Sequence, residues 1–266
     1  MRTVLLIITT LFTIQLSAQP RVGFAYYDVD RAYDTSPSLF YDDSDYTPEG
    51  RNHWTTERYT RKIDGIAAVI DSMALPIVAL YGVENEQVVR DISSRCKGDY
   101  SYIHRTLNRL DGMDFALLYY GDVLFPESVE VGLDYMLIRA AVGEREFALL
   151  LARRPRGLKE LVAQLREQSP KSHIIIAGDL YGTDYSGLAL NEATAAAERS
   201  GHGNTVYRGA WRMFDRILAD ERLETHCDVY ARRWLLDDNG EPKPTFNREG
   251  YVGGTSRKLP IFCYWR

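Results

Sequence analysis

His173-Ile174-Ile175-Ile176-Ala177-Gly178-Asp179 reads as a buried strand that delivers a carboxylate just past a glycine. Its almost unbroken apolar run is the pattern of a strand covered on both faces. Its C-terminal end is where ligand sites of α/β folds gather. Taken alone, the Gly-Asp pair is also an ordinary turn signal. Working outward, residues 75–83 form a second continuous apolar strand, and further strands are expected at 22–27, 100–105, 114–120, 136–142, 146–152, 214–219 and 259–264. Thr55 opens a helix whose Tyr59, Ile63, Ile66 and Ile70 recur at spacings of four, three and four, one stripe facing a core. Helices also fit at 158–167 and 190–199, and the turn-rich stretch 220–250 carries the weakest pattern. So many strands with few helices between them predict an α/β fold of two packed sheets with helices on the outer faces.

The N-terminus predicts the compartment. Arg2 precedes an apolar run from Val4 to Leu16 that ends in Leu16-Ser17-Ala18-Gln19, so Met1 to Ala18 reads as a secretory signal and the protein as periplasmic or secreted. The run is too short and too rich in Thr for a good membrane anchor, and no later stretch is long and apolar enough to span. Residues 19–266 have a length typical of one large domain. The formal charge of −5, or −6 without Arg2, argues against a protein that grips nucleic acid by its phosphates. Three cysteines, Cys96, Cys227 and Cys263, allow one bridge, although ordinary buried or free thiols are the preferred reading; no metal-ligand spacing occurs among them or among the five histidines.

Five further segments accompany the Gly-Asp strand in a fixed order. These are Phe24-Ala25-Tyr26-Tyr27-Asp28-Val29-Asp30, Trp54-Thr55-Thr56-Glu57-Arg58-Tyr59, Leu80-Tyr81-Gly82-Val83-Glu84-Asn85-Glu86, Met113-Asp114-Phe115-Ala116-Leu117-Leu118, and Tyr207-Arg208-Gly209-Ala210-Trp211-Arg212-Met213-Phe214-Asp215, with Gly253-Gly254-Thr255-Ser256-Arg257-Lys258-Leu259-Pro260 closing the chain. Together they resemble the endonuclease/exonuclease/phosphatase superfamily, in the secreted form common in Bacteroidetes. The resemblance implies a DNase I-like, four-layer α/β sandwich of two mixed sheets with outer helices. It also implies a divalent cation, usually Mg²⁺, at the strand ends, bound by carboxylates and an Asn and neutralising charge on a phosphoryl group.

The same resemblance implies that most reacting positions have changed. Gly82 stands where the family has its metal-binding Glu, Asp28 where it has an Asn, and Tyr181 where the Gly-Asp-Phe-Asn signature has its Asn. Arg153 aligns with a His, Arg216 with the His after Asp215, and Arg257-Lys258 with the Asp-His of the closing motif. Asp179 and Asp215 are the retained catalytic positions, while scaffold residues such as Trp54, Tyr59, Trp211, Gly254 and Pro260 still match. Arg257 stays protonated and only donates hydrogen bonds, and Lys258 is a poor base near neutral pH. The expectation is therefore a non-hydrolysing protein that needs no cofactor, with Arg153, Arg216, Arg257 and Lys258 gathered around Asp28, Asp179 and Asp215 as an ion network or as a cleft for an anionic ligand or partner. The alternative is a Mg²⁺-dependent phosphoric ester hydrolase in which Asp28 and Glu84, two residues beyond Gly82, hold a displaced cation with Asp179. Neither reading fixes an oligomeric state.

Overall fold

The computed structural model describes residues 21–266; the secretory signal expected at 1–18 lies outside the described residues. The strands are β1 (Val22–Ala32), β2 (Ile77–Val83), β3 (Ser101–Arg105), β4 (Asp114–Tyr119), β5 (Phe125–Val131), β6 (Tyr135–Val142), β7 (Arg145–Arg153), β8 (His173–Asp179), β9 (Leu190–Glu192), β10 (Thr205–Tyr207), β11 (Ala210–Arg212), β12 (Asp215–Asp220), β13 (Thr225–Val229) and β14 (Ile261–Trp265). The α-helices are α1 (Thr56–Met73), α2 (Glu86–Arg95), α3 (Leu158–Gln168) and α4 (Ala195–Arg199).

Two mixed six-stranded sheets form, in the orders β13-β14-β1-β2-β4-β3 and β5-β6-β7-β8-β12-β9, with β10 and β11 as a separate hairpin. In each sheet the parallel pair lies at the centre, β1 with β2 and β7 with β8. Alternation along β1 shows how one strand serves two layers. Phe24 and Tyr26 face the core shared with Phe147, Leu149, Ile175 and Ile217 of the other sheet, while Ala25 and Tyr27 face Ile63, Ile66 and Ile70 of α1. On the far side, Leu158, Val162 and Leu165 of α3 cover Leu150, Ile174 and Ile176. The layers are therefore helix, sheet, sheet, helix, as the sequence predicts.

Four local expectations need correction. The segment read as a helix at 190–199 is β9 followed by the five-residue α4, because Leu190, Asn191 and Glu192 pair with the edge of β12. Helix α2 was not anticipated; Asn85 caps it by accepting from the Val88 N–H, and its apolar face is only Val88, Val89 and Ile92. Strands β5 and β13 were also missed, β5 being an edge strand whose residues are mostly exposed. Finally, Cys227 and Cys263 form a disulfide rather than free thiols, since the antiparallel register of β13 and β14 sets them directly opposite each other. Cys96 is free.

Candidate functional site

The three aspartates, one from each of β1, β8 and β12, meet between the two sheets. Asp179 closes β8 and Asp215 opens β12, and the two are directly paired across the antiparallel ladder. Gly178 makes this possible. It has φ of 146°, and a Cβ there would lie 1.8 Å from the Ala152 carbonyl oxygen, so only glycine lets β8 approach β7 this closely. Asp28 comes from β1 in the facing sheet, where the pairing with β2 shifts register between Asp28 and Ala32. Like charges directly opposite on neighbouring strands repel, so this arrangement requires a counter-ion.

Lys258 supplies it. Its Nζ lies 2.6 Å from Asp215 Oδ1, 3.0 Å from Asp28 Oδ2 and 3.7 Å from Asp179 Oδ2. Its side chain is 14 % exposed, and those of the aspartates 13 %, 5 % and 1 % for Asp28, Asp179 and Asp215. The backbone that carries Lys258 is fixed at both ends. Ser256 Oγ donates to the Asp28 carbonyl at 2.6 Å and accepts from the Lys258 N–H at 3.0 Å, and the Leu259 N–H donates to the Asn204 carbonyl at 2.7 Å. Burial pulls the Lys258 pKa down, but the Asp215, Asp28 and Asp179 carboxylates outweigh it and raise the ammonium above its ordinary range. Asp215 is pushed up by burial, against the pull of Lys258 and with the repulsion of Asp28 and Asp179. The cluster's other cation is Arg154, whose Nε lies 3.3 Å from Asp179 Oδ2.

Two groups that hold this cluster went unnoticed in the sequence. Fully buried Asn204 donates Nδ2 to Asp215 Oδ2 at 2.7 Å, and its Oδ1 accepts from the Phe214 N–H at 2.9 Å. It sits in the polar run Gly201-His202-Gly203-Asn204, where nothing in the spacing marks it. Arg154 was visible only as the second member of a tandem arginine at the end of β7.

The remaining sequence-derived positions divide. Gly82 has φ of 90°, and a Cβ there would meet Arg31 N at 3.2 Å and both Asp28 Oδ1 and Asp30 N at 3.4 Å. The backbone of Asp30 and Arg31 thus crowds a Cβ at position 82, and the φ there is one that side chains rarely adopt. Glu84 is not brought to the aspartates. It is buried under the 34–43 loop, accepting from the Asp34 N–H at 2.5 Å and the Tyr41 hydroxyl at 2.8 Å, and burial raises its carboxyl to about 7. Tyr181 donates its N–H to Asp179 Oδ1 at 3.2 Å, while its half-exposed ring stacks on Phe214 with centroids 4.1 Å apart.

The expected gathering of four cations is corrected as well. Arg216 follows Asp215 on β12 and so points to the opposite face, where it pairs with Glu192 and Glu198. Arg257 is largely exposed and pairs with Asp30 at 3.2 Å rather than with the three aspartates. Arg153 lies with its guanidinium carbon 5.2 Å from the centre of the Tyr81 ring. Among the described residues, only Lys258 and Arg154 form ion pairs with the cluster.

Above the cluster opens a cleft of about 980 Å³. Arg153, Tyr81, Asp28 and Lys258 line it together with Tyr207, Phe214 and residues of the 236–248 loop. Among the described residues no three His, Cys, Asp or Glu side chains are spaced to hold a metal ion; the three aspartates are instead spaced at 2.6–3.7 Å around the Lys258 ammonium and would have to close in to ligate one.

Residues 23–141 match the model described as Endonuclease/Exonuclease/phosphatase family. Over those residues the chain is similar to that family. Solved structures agree in fold. TDP2 from Caenorhabditis elegans superposes with a TM-score of 0.62 and 12 % identity, covering 92 % of this chain and 75 % of that one. An endonuclease/exonuclease/phosphatase from Bacteroides vulgatus gives 0.59 and 12 %, covering 93 % and 99 %. A mannosyl-6-phosphatase from Bacteroides thetaiotaomicron gives 0.59 and 12 %, covering 92 % and 99 %. At these identities the likeness is one of fold. No curated protein matches the chain in sequence.

Proposed function

We propose that this endonuclease/exonuclease/phosphatase-fold protein does not hydrolyse phosphoesters and instead binds an anionic ligand in its cleft, in the periplasm or outside the cell. The observation that carries this reading is the Lys258 ammonium lying within 3.7 Å of all three aspartates. Members of the family usually use Mg²⁺, and the fit of such an ion to these residues is poor. The place between the carboxylates is taken by a tethered cation, and Gly82 offers no carboxylate of its own. A divalent cation would have to displace a buried ammonium from its partners, which leaves that charge unpaired.

Without a metal the cluster holds no activated nucleophile, and its carboxylates are already engaged. Lys258 is held protonated, Arg154 only donates, and Asp179 and Asp215 are engaged by Arg154, Lys258 and Asn204. The kinship with phosphatases and nucleases supports a phosphorylated or otherwise anionic ligand. The signal-like segment 1–18 and the Cys227–Cys263 bridge support an oxidising compartment.

The test is hydrolysis of a generic phosphodiester and a generic phosphomonoester with Mg²⁺ or Mn²⁺. The expected result is no metal-dependent turnover above a protein-free control. Turnover that is abolished by Asp179→Ala would instead establish a metal-dependent hydrolase with a rebuilt site.

A further inference from the structure

The lining of the cleft holds donors that have no acceptor. Arg153 is half-buried and lines the cleft, yet its guanidinium makes no hydrogen bond or ion pair with any described residue. A guanidinium carries five N–H donors in a planar fork suited to a tetrahedral or planar oxyanion. Its neighbour Tyr81, with the ring centre 5.2 Å from the guanidinium carbon, is 4 % exposed and also lines the cleft, and its hydroxyl is buried without a partner among the described residues. Buried polar groups in folded proteins are nearly always hydrogen-bonded, so an orphan hydroxyl beside an orphan guanidinium marks a place where something with acceptor atoms belongs.

The surrounding charges leave Arg153 uncompensated. Asp28 and Asp179 are held by Lys258 and Arg154, Asp111 and Asp134 both pair with Arg109 at 3.1 Å, Asp30 pairs with Arg257, and no ion pair joins Arg153 to Asp237, Asp238 or Glu241, which line the same cleft. The lining of the same cleft adds Tyr207, 42 % exposed, and Phe214, whose ring centroids are 5.5 Å apart. Aromatic faces of this kind stack on the flat surface of another ring.

We propose that Arg153 and Tyr81 form an oxyanion subsite, separate from the aspartate cluster, that takes the phosphoryl or sulfuryl group of a ring-bearing monoester while Tyr207 and Phe214 contact the ring. This rests on the reading that the cleft binds without cleaving. Arg153 provides the charge and two parallel N–H groups, and the Tyr81 hydroxyl donates beside it.

Calorimetric titration in the presence of EDTA tests it, with phenyl phosphate, phenyl sulfate and inorganic phosphate as probes. Wild-type protein should bind at least one of the two phenyl esters saturably, and the tighter of them identifies the anionic group. Arg153→Met should weaken that binding by about tenfold or more, the loss expected of a charge-assisted contact. Tyr81→Phe, which keeps the ring and removes only the hydroxyl, should weaken it by about three- to tenfold. Phenyl phosphate should bind more tightly than inorganic phosphate, and Tyr207→Ala should erase that difference. Thermal melts check that each variant folds, and Arg153→Lys, which keeps the charge but not the fork, replaces Arg153→Met if the latter does not. Binding that is unchanged in both the Arg153 and Tyr81 variants, or absent from wild type for every probe, overturns the subsite. Phosphate release from phenyl phosphate on adding Mg²⁺ would overturn the non-hydrolytic reading instead, so the two failures are distinct.

Discussion

Glu84 illustrates how a residue-scale expectation from sequence goes astray. Two residues beyond Gly82 it shares a strand face with that position only while β2 continues, and β2 ends at Val83 with a register shift against β4 after Tyr81. Its carboxyl is then taken by the 34–43 loop. Because burial raises it from 4.5 to about 7, the folded chain holds a proton in that interval that the unfolded chain does not. The stability this contributes is fully present below about 4.5 and is lost as pH rises through about 7. Glu84→Gln should therefore flatten the fall in melting temperature between pH 4.5 and 7.5, and a slope unchanged from wild type would show that Glu84 has no part in it. Asn204 has a different role, holding Asp215 in place and satisfying the N–H groups of Phe214 and Asp215. Asn204→Ala should cost about 2–4 kcal/mol by leaving buried polar groups without partners, read from urea denaturation. A loss below about 0.5 kcal/mol would mean that water replaces the amide.

At the scale of elements, what was legible followed apolar periodicity. The runs of β2, β4 and β8 and the stripe of α1 are strong enough to decide their own structure. Helix α2 and strand β5 are not, since α2 presents three buried residues in ten and β5 lies at an edge where little is buried. The 190–199 segment has alanines that favour a helix, but ladder bonds to β12 outweigh propensity over its first three residues. The disulfide depends on the register of β13 with β14, and β13 itself falls in the stretch with the weakest pattern. Closing a loop of 36 residues, the bridge is worth about 3–4 kcal/mol on the chain-entropy estimate. Reduction, or Cys227→Ser with Cys263→Ser, should lower the denaturation midpoint accordingly, and an unchanged midpoint would contradict the bridge.

On the scale of the whole molecule, the sandwich architecture was readable because both sheets are built around continuous apolar strands and their faces alternate cleanly. The site was readable only in part. Lys258, Asp28, Asp179 and Asp215 converge as the ordered motifs suggested, whereas Arg216 and Arg257 do not, because strand alternation turns the first away and Asp30 captures the second. Alignment with a motif names positions, but the direction of a side chain depends on the pleat and on which partner reaches it first. The unpaired Arg153 beside Tyr81 depends on three-dimensional neighbours that no linear pattern contains.

The central claim is that Lys258 stands where a divalent cation would otherwise sit. Titration of Mn²⁺ into wild-type protein and Lys258→Ala, followed by calorimetry and thermal melting, tests it most directly. Removing the ammonium leaves three close carboxylates, so Lys258→Ala should lose about 3–5 kcal/mol of stability in EDTA. It should then bind about one Mn²⁺ saturably and recover much of that loss, while wild type shows neither binding nor stabilisation at the same concentrations. Saturable Mn²⁺ binding by the wild-type protein that disappears in Asp179→Ala would contradict the account.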